Sequence, residues 1–342
     1  MQEPRPAQAA GRKLLNMDSE FTPIFICGHR KSATSMLLNV FDHHPELHVY
    51  PTDLKVLYAY FPEFIRQNQD RNSRVDRLNK VVFDDPRYYE LVAGGVDIEA
   101  FRNRFWEIAI GALDIEEVLR SLLRAYQTLN TDTDSQLILS KETSIEIYAQ
   151  EIADWFPDAK FIHILRDPRD NYAALRAGVP SYYSHLGENA SRTLASLIHR
   201  ALLGFEFAAI NQTMFGESRY RVVRFEDLTT DPERVLSELC DFMGIAFDLL
   251  DSRPTILGQS TGGNSFEQKD LREISTVNVN RWKERISKKE AQVIEFYFHK
   301  VMQEHGYALE YRREQAARAV SEFYKWSNYE YFYSDRFSTE PR

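Results

Sequence analysis

Residues 24–38 read IFICGHRKSATSMLL, and this stretch decides the fold. Its apolar beginning predicts a buried strand that ends near Cys27, and its apolar end predicts a helix. Between the two stand Gly28, two cationic residues and a cluster of small hydroxylated residues. The first N–H groups of a helix have no partner within the helix, and its N-terminus carries partial positive charge. A strand, turn and helix of this composition therefore predict an anion site, above all for phosphate.

The bulk composition limits the classes of protein to be considered. The chain has 342 residues, of which 43% are hydrophobic and 13% aromatic. These values are typical of a well-packed protein with one sizeable α/β domain. The formal net charge of −9 argues against a general nucleic-acid binder, whose surface would be strongly basic. We therefore expect no nucleic-acid partner.

The cysteines and the N-terminus indicate a cellular location. The two cysteines, Cys27 and Cys240, lie in apolar stretches and offer neither a disulfide framework nor a zinc spacing. Residues 1–19 are polar, and no window approaches the ~20 apolar residues that span a bilayer. We expect a cytoplasmic protein without a transmembrane segment and without a bound metal.

Strands and helices alternate along most of the chain. The pattern predicts four short strands, at 23–27, 137–140, 160–165 and 220–225. It predicts helices at 33–42, 144–156, 169–177, 190–214, 232–243 and 288–305. Such alternation is typical of an α/β fold, a three-layer sandwich whose central, mainly parallel sheet is covered on both faces.

The chain divides into an arm, a domain and a tail. Residues 1–20 are expected to form a flexible arm, and residues 21–310 the domain. Residues 55–133, approximately, are helical, charged and aromatic, and are too long for one crossover, so we expect an insertion that shapes a second ligand's pocket. The tail, residues 311–342, is rich in aromatics and is expected to pack on the body or on a partner subunit of a homo-oligomer.

Three further stretches place polar, charged or aromatic side chains at the end of a predicted strand. They are Arg166-Asp167-Pro168-Arg169, Ser140-Lys141-Glu142 and Arg224-Phe225-Glu226. Ligands of open parallel sheets bind at the carboxyl ends of the strands, so these residues are expected on one rim with Lys31. The planar fork of an arginine suits phosphate. The alternatives are an ordinary basic turn at 28–35, a helix-capping network at 166–169, and core packing of Phe225.

In this order the motifs resemble the PAPS-dependent sulfotransferases, PAPS being 3′-phosphoadenosine 5′-phosphosulfate. The resemblance runs from about Thr22 to Tyr307 and is closest to the carbohydrate, heparan-sulfate-type and tyrosylprotein-type members. Residues 28–34 resemble the 5′-phosphosulfate loop, residues 165–170 the 3′-phosphate motif, and residues 263–265 and 281–283 the region that closes over the cofactor. The resemblance implies a P-loop NTPase-like fold and PAPS as co-substrate, without a metal.

The resemblance also implies roles for individual residues. Lys31 would hold the bridging oxygen and the 5′-phosphate, and Lys141 the sulfuryl oxygens, both as catalytic cations. The residues expected to bind the cofactor are Arg30, Lys31, Ser32, Ala33, Thr34, Ser35, Arg166, Ala174, Phe225, Arg281 and Lys283.

Two positions depart from the family's pattern. Glycine usually stands where this chain has Ala33, and the serine that shares the 3′-phosphate with arginine falls at Ala174. The lost hydroxyl removes a hydrogen bond worth roughly 0.5–1.5 kcal/mol. Tyr172, Arg176 or a cation nearer the C-terminus is expected to compensate.

The glycan-type members that this chain resembles place a carboxylate base shortly after a His-Pro turn. Counting without gaps from Lys31 through His44-Pro45 puts Asp53 at that position. The alternative is that Asp53 is the N-cap of a helix over 54–60. Glu142 and His185 are rival bases.

The resemblance implies transfer of the sulfuryl group from PAPS to a hydroxyl or amine of a small-molecule, lipid-linked or glycan acceptor. One alternative is a P-loop-type kinase of a small molecule, although Arg30 stands where the Walker A loop needs glycine. The other is an inactive sulfotransferase-like nucleotide-binding module, suggested by Ala33 and Ala174.

Overall fold

The computed structural model describes residues 21–61, 71–84, 96–109, 114–130, 133–186, 190–260, 266 and 272–327. Every structural statement below concerns these residues. The expected arm at 1–20, the segment 263–265 and the tail beyond 327 lie outside them.

Five parallel strands form the central sheet in the order β2-β3-β1-β4-β5. The strands are β1 (Thr22–Cys27), β2 (His48–Asp53), β3 (Leu137–Lys141), β4 (Lys160–Leu165) and β5 (Tyr220–Arg224). Strand β1 lies in the middle, where Ile26 pairs with Lys141 and Cys27 with His163. The loop after β1 is therefore flanked by the ends of β3 and β4. This arrangement confirms the predicted parallel α/β sandwich.

The helices surround the sheet and fill the insertion. Those that follow the strands are α1 (Thr34–Val40), α7 (Ala149–Trp155), α8 (Pro168–Ala177), α9 (Ala190–Phe215), α10 (Phe225–Thr230) and α11 (Pro232–Met243). The insertion holds the π-helical turns α2 (Val56–Tyr60) and α4 (Asn79–Phe83), with α3 (Arg71–Leu78), α5 (Ile98–Ala109) and α6 (Ile115–Leu129). Near the C-terminus are α12 (Trp282–Arg285), α13 (Lys288–Tyr297), α14 (His299–Glu304) and α15 (Arg313–Ser327).

Alternate residues of β1 build two different cores. Successive side chains of a strand point to opposite faces of its sheet. Phe25 and Cys27 pack with Phe161, Tyr220 and the insertion helices. Ile24 and Ile26 belong to the core that includes residues of α1 and α11. Because β1 is buried on both faces, its sequence is a continuous apolar run, as in other parallel sheets.

Helix α9 is long and apolar enough, by length and composition, to cross a membrane. Six of its described apolar residues are buried in a core shared with α13, α14 and α15. Those residues are Leu194, Leu197, Ile198, Ala201, Phe205 and Ala208. The same test is passed by core helices of proteins without a membrane span, and 44% of the tested window of this helix is buried inside the structure.

The sequence missed β2. No strand was predicted between residues 27 and 137, but His48–Asp53 forms an edge strand beside β3. Pro51 lacks a backbone N–H, and the pairing with β3 shifts register between Val49 and Asp53. Asp53 therefore ends a strand, and the expectation that it caps a helix over 54–60 is wrong. The residue before α2 is Lys55.

Smaller boundaries also differ. Strand β5 ends at Arg224 rather than Phe225, which begins α10. The single helix expected over 288–305 is two helices that meet at Phe298.

Substitution of two glycines with positive φ distinguishes the cost of backbone strain from the cost of steric overlap. Gly28 has φ +133°, and a Cβ there would lie 2.4 Å from the Ile164 carbonyl oxygen, whereas Gly216 has φ +69° and nothing within 4 Å. We expect Gly216→Ala to lower the free energy of unfolding by about 1 kcal/mol, from strain alone. Gly28→Ala should lower it by about 3 kcal/mol or more, because overlap with β4 adds to strain. Urea denaturation measures both, and equal losses would contradict the close approach of this loop to β4.

Candidate active site

The loop between β1 and α1 follows an unusual backbone path. Besides Gly28, two residues without the freedom of glycine adopt left-handed conformations, Lys31 at φ 68° and Ala33 at φ 77°. Such a conformation costs an L-residue about 1–2 kcal/mol. Ala33 is the position where the related family has glycine, and it immediately precedes α1. This chain thus adopts with an alanine a backbone conformation that glycine adopts more readily.

Asn171 on α8 holds this loop from one side, and the sequence analysis missed it. Its amide nitrogen donates to the Arg30 carbonyl oxygen at 3.0 Å and to the Ser32 hydroxyl at 3.1 Å. Its amide oxygen accepts from Nδ1 of His29 at 2.8 Å. Burial, followed by the charge of Arg30, lowers the pKa of His29 to about 3, so this imidazole is neutral. The one available signal was the place of Asn171 in the first turn of the helix after β4.

Glu146 binds the first residue of the loop between β1 and α1. Its carboxylate accepts a hydrogen bond from the Gly28 N–H at 3.2 Å, and the residue is 1% exposed. Burial raises the pKa of Glu146 to about 7. A buried carboxyl group therefore fixes the first residue of the loop, a role that the sequence did not indicate.

Three cations converge where β1, β3 and β4 end. Burial, followed by the charges of Arg166 and Lys141, lowers the pKa of Lys31 to about 8. The three positive charges therefore lie within electrostatic reach of one another, as expected from their positions after neighbouring strands. The Lys31 ammonium lies 3.8 Å from the centroid of the Phe266 ring, which stabilises it by a cation–π contact.

Arg166 braces the loop and keeps hydrogen-bonding capacity. Its Nη1 donates to the Lys31 carbonyl oxygen at 2.7 Å, and its Nη2 donates to the Asn278 carbonyl oxygen at 2.9 Å. Its Nε is buried without a hydrogen-bond partner among the described residues. The helix-capping network also exists, but it is made by Arg169, which pairs with Asp167 at 2.6 Å and with Glu295 at 2.5 Å. Arg166 is thus left outside that network.

Lys141 and Asp53 form an ion pair at the same rim. The Lys141 Nζ lies 2.6 Å from an Asp53 carboxylate oxygen, and both residues are largely buried. Glu142, a rival base, is occupied: its two oxygens accept from the N–H groups of Leu57 and Tyr58 at 3.1 Å and 2.8 Å. His185, the other rival, is exposed beside the Tyr183 ring. Of the three carboxylate or imidazole candidates, Asp53 is the one that pairs with Lys141.

The remaining predicted cofactor residues occupy varied environments. Ser32 is buried in the loop, Thr34 is buried at the start of α1, and Ser35 follows it in the same helix. The Phe225 ring is in the core, which is the alternative left open for it, and the Arg166 guanidinium covers it at 4.5 Å. Ala174 is half-buried on α8.

Two predicted cations near the C-terminus differ in exposure. Lys283 is exposed and pairs with Glu310 at 2.5 Å. The buried Nε of Arg281 has no hydrogen-bond partner among the described residues and lies 3.9 Å from a carboxylate oxygen of Glu284. Its segment is bound to α8, because Asp170 accepts from the N–H groups of Asn280 and Trp282 at 2.7 Å and 2.8 Å.

Comparisons with known proteins agree with this arrangement. The model of the sulfotransferase family matches residues 23–249. Two solved structures are similar in fold. The sulfotransferase domain of the olefin synthase of Synechococcus PCC 7002 is 19% identical, with a TM-score of 0.58 over 85% of this chain and 98% of that domain. The sulfotransferase domain of the curacin biosynthetic pathway is 18% identical, with a TM-score of 0.55 over 85% of this chain and 100% of that domain. None of the curated proteins matches this chain in sequence.

The buried carboxyl behind the loop should make stability depend on pH. Because the folded pKa of Glu146 is about 7 against an ordinary 4.5, the native state keeps a proton that the unfolded chain releases between these values. The free energy of unfolding should therefore fall as pH rises through this window. Relative to the wild-type chain, Glu146→Gln should gain roughly 2–3 kcal/mol between pH 5 and pH 8, measured by urea denaturation. The exposed Glu151 provides the control: Glu151→Gln should follow the wild-type profile, and an identical profile for Glu146→Gln would contradict the assignment.

Proposed function

Because this chain belongs to the sulfotransferase family, we propose that it transfers the sulfuryl group of PAPS to a hydroxyl or amine of a small-molecule, lipid-linked or glycan acceptor. The observation that carries the proposal is the convergence of Lys31, Lys141 and Arg166 at the carboxyl ends of neighbouring strands. Cations held so close together repel one another, and a ligand rich in negative charge relieves that repulsion. A nucleotide with phosphate and phosphosulfate groups is such a ligand.

The described residues fit the two anionic ends of PAPS. The loop 28–35 and Lys31 would hold the 5′-phosphosulfate, and Arg166 would hold the 3′-phosphate through its unpartnered Nε. Ala174 lacks the hydroxyl expected beside Arg166. Arg281 is the cation that we propose as its replacement, since its buried Nε has no hydrogen-bond partner among the described residues and its segment is bound to α8.

In the proposed reaction, an acceptor oxygen or nitrogen forms a bond to sulfur as the bond from sulfur to the bridging oxygen breaks. Lys31 stabilises the negative charge that grows on the bridging oxygen, and Lys141 stabilises the sulfuryl oxygens. The protein supplies position and fixed charge, by analogy with phosphoryl transfer. Both cations act from strand ends or a braced loop, so little reorganisation accompanies the step.

Asp53 is proposed to take the proton of the acceptor. Its carboxylate reaches the rim at the end of β2 and pairs there with Lys141 at 2.6 Å. The proposed base would thus lie beside the cation that we propose to bind the transferring group. The acceptor atom would then react between Asp53 and the loop 28–35, here called the donor loop.

The inactive nucleotide-binding module remains the second candidate, and Ala33 and Ala174 favour it. Against it stands the Asp53–Lys141 pair, which a module that only binds nucleotide does not need. A kinase is disfavoured by Arg30, which occupies the Walker A glycine position.

Nucleotide binding separates these candidates. We expect PAP, the desulfated product, to bind at least tenfold more tightly than ATP in calorimetric titrations. The physical reason is that Arg166 and Arg281 are proposed to bind a 3′-phosphate, which ATP lacks. A preference for ATP would overturn the proposed donor. Binding of PAP without turnover of labelled PAPS on any member of an acceptor panel would support the inactive module.

Substitution of the base tests the catalytic role. Asp53→Asn should lower kcat by about 10²–10⁴, because general-base catalysis contributes that much, with PAP affinity changed little. The acidic limb of the pH–rate profile should disappear with it. Asp158→Asn, at an exposed turn, is the control and should keep wild-type rates. If Asp53→Asn retains kcat within about threefold, another group takes the proton.

A further inference from the structure

We propose that Arg30 and Arg200 form an anion subsite for the acceptor, so that the acceptor is a hydroxyl compound that also carries an oxyanion such as a carboxylate. The inference rests on the proposed function, because it names the substrate class of the same site. It also reassigns Arg30, which the sequence analysis placed among the cofactor-binding residues.

The Arg30 side chain turns away from the donor loop. Its Nη2 donates to the Ser196 hydroxyl on α9 at 3.0 Å, and its guanidinium lies 5.2 Å from the centroid of the Tyr183 ring. Ser196 and Arg200 are four residues apart on α9, so they lie on the same face of that helix. The Arg200 guanidinium covers the Tyr58 ring at 4.4 Å. Two arginines from different elements therefore meet on one face of α9.

The charges of these arginines are not neutralised by carboxylates. Neither guanidinium forms an ion pair with an acidic side chain within the described part of the chain, and the Nε of Arg30 is buried without a partner there. Burial, followed by the charge of Arg30, lowers the pKa of Arg200 to about 10. Both arginines also contribute to the lowered pKa of His29. The fold thus holds two partly buried positive charges against their repulsion, an arrangement that an oxyanion stabilises.

The subsite lies on the acceptor side of the candidate active site. Arg30 precedes Lys31 in the donor loop, and Tyr58 belongs to α2, which follows Asp53. The N–H of Tyr58 is held by Glu142, the neighbour of Lys141. An acceptor hydroxyl at Asp53 and an oxyanion at the arginines would therefore belong to one molecule. Two guanidinium forks bind a planar carboxylate through paired hydrogen bonds, and Tyr58 offers a flat apolar wall.

A pair of probes that differ only in charge tests the subsite directly. The full chain is saturated with PAP, so that the donor site is filled, and is titrated with 4-hydroxybenzoate and with 4-hydroxybenzamide. We expect the carboxylate to bind at least tenfold more tightly, because charged hydrogen bonds exceed neutral ones in strength. Arg200→Gln should abolish this preference, and Arg200→Lys should keep part of it. Arg192→Gln, an exposed arginine on the same helix, should leave the preference unchanged.

The outcomes distinguish this inference from the proposed function. Equal affinity of the two probes, failure of both to bind, or a preference that survives in Arg200→Gln overturns the subsite. Failure of PAP to bind overturns the proposed donor. If the same probes, titrated without PAP, still show a preference that depends on Arg200, the subsite stands without that donor. Thermal denaturation of each variant verifies that it is folded. If Arg200→Gln is not folded, the carboxylate preference of Arg200→Lys is compared with that of the wild-type chain instead.

Discussion

Repulsion among positive charges at the carboxyl ends of β1, β3 and β4 is the constraint on which the site depends. The structure offsets it by a different means at each cation. Lys141 has a carboxylate, Asp53, and Lys31 has the face of the Phe266 ring. Arg166 donates to two carbonyl oxygens, and the carboxyl groups of Asp170, Glu226 and Asp167 also attract its positive charge. The net result is a rim whose cations are held in a fixed geometry, and electrostatic catalysis relies on charges held in this way.

The donor loop is fixed by contacts with several neighbouring elements. Gly28 lies against β4, Glu146 accepts its N–H from behind, and Asn171 holds the loop's carbonyl and side chains from α8. These contacts offset the left-handed backbone at Ala33, where a glycine would carry no such cost. The departure at Ala33 is therefore compatible with a working loop. At Ala174 no such compensation comes from Tyr172, whose hydroxyl is committed to Glu290 at 2.5 Å.

How far the sequence predicts the structure depends on whether a feature is local. Strands β1 and β4 were predicted because strands buried on both faces are apolar runs, and α11 because Pro232 begins it and an apolar face follows. Strand β2 was missed because an edge strand with Pro51 and polar residues has no such pattern. The clamps by Asn171 and Glu146 join residues far apart in the chain, so no local pattern indicates them. The position of Asp53 came from the family resemblance, and its ion pair with Lys141 came only from the structure.

The side chains of Arg30 and Lys31, adjacent in the donor loop, point in different directions. In the proposed function, this difference links the donor site to the acceptor site. Lys31 faces Arg166 and Lys141, whereas Arg30 reaches Ser196 on α9. Arg166 and Asn171 bind the carbonyl oxygens of these same two residues, Lys31 and Arg30 respectively. A change of backbone conformation at this point would therefore displace both side chains at once. In the proposed function, occupancy of the donor site and the position of the acceptor anion would thus depend on one short backbone segment, which would link the binding of the two substrates.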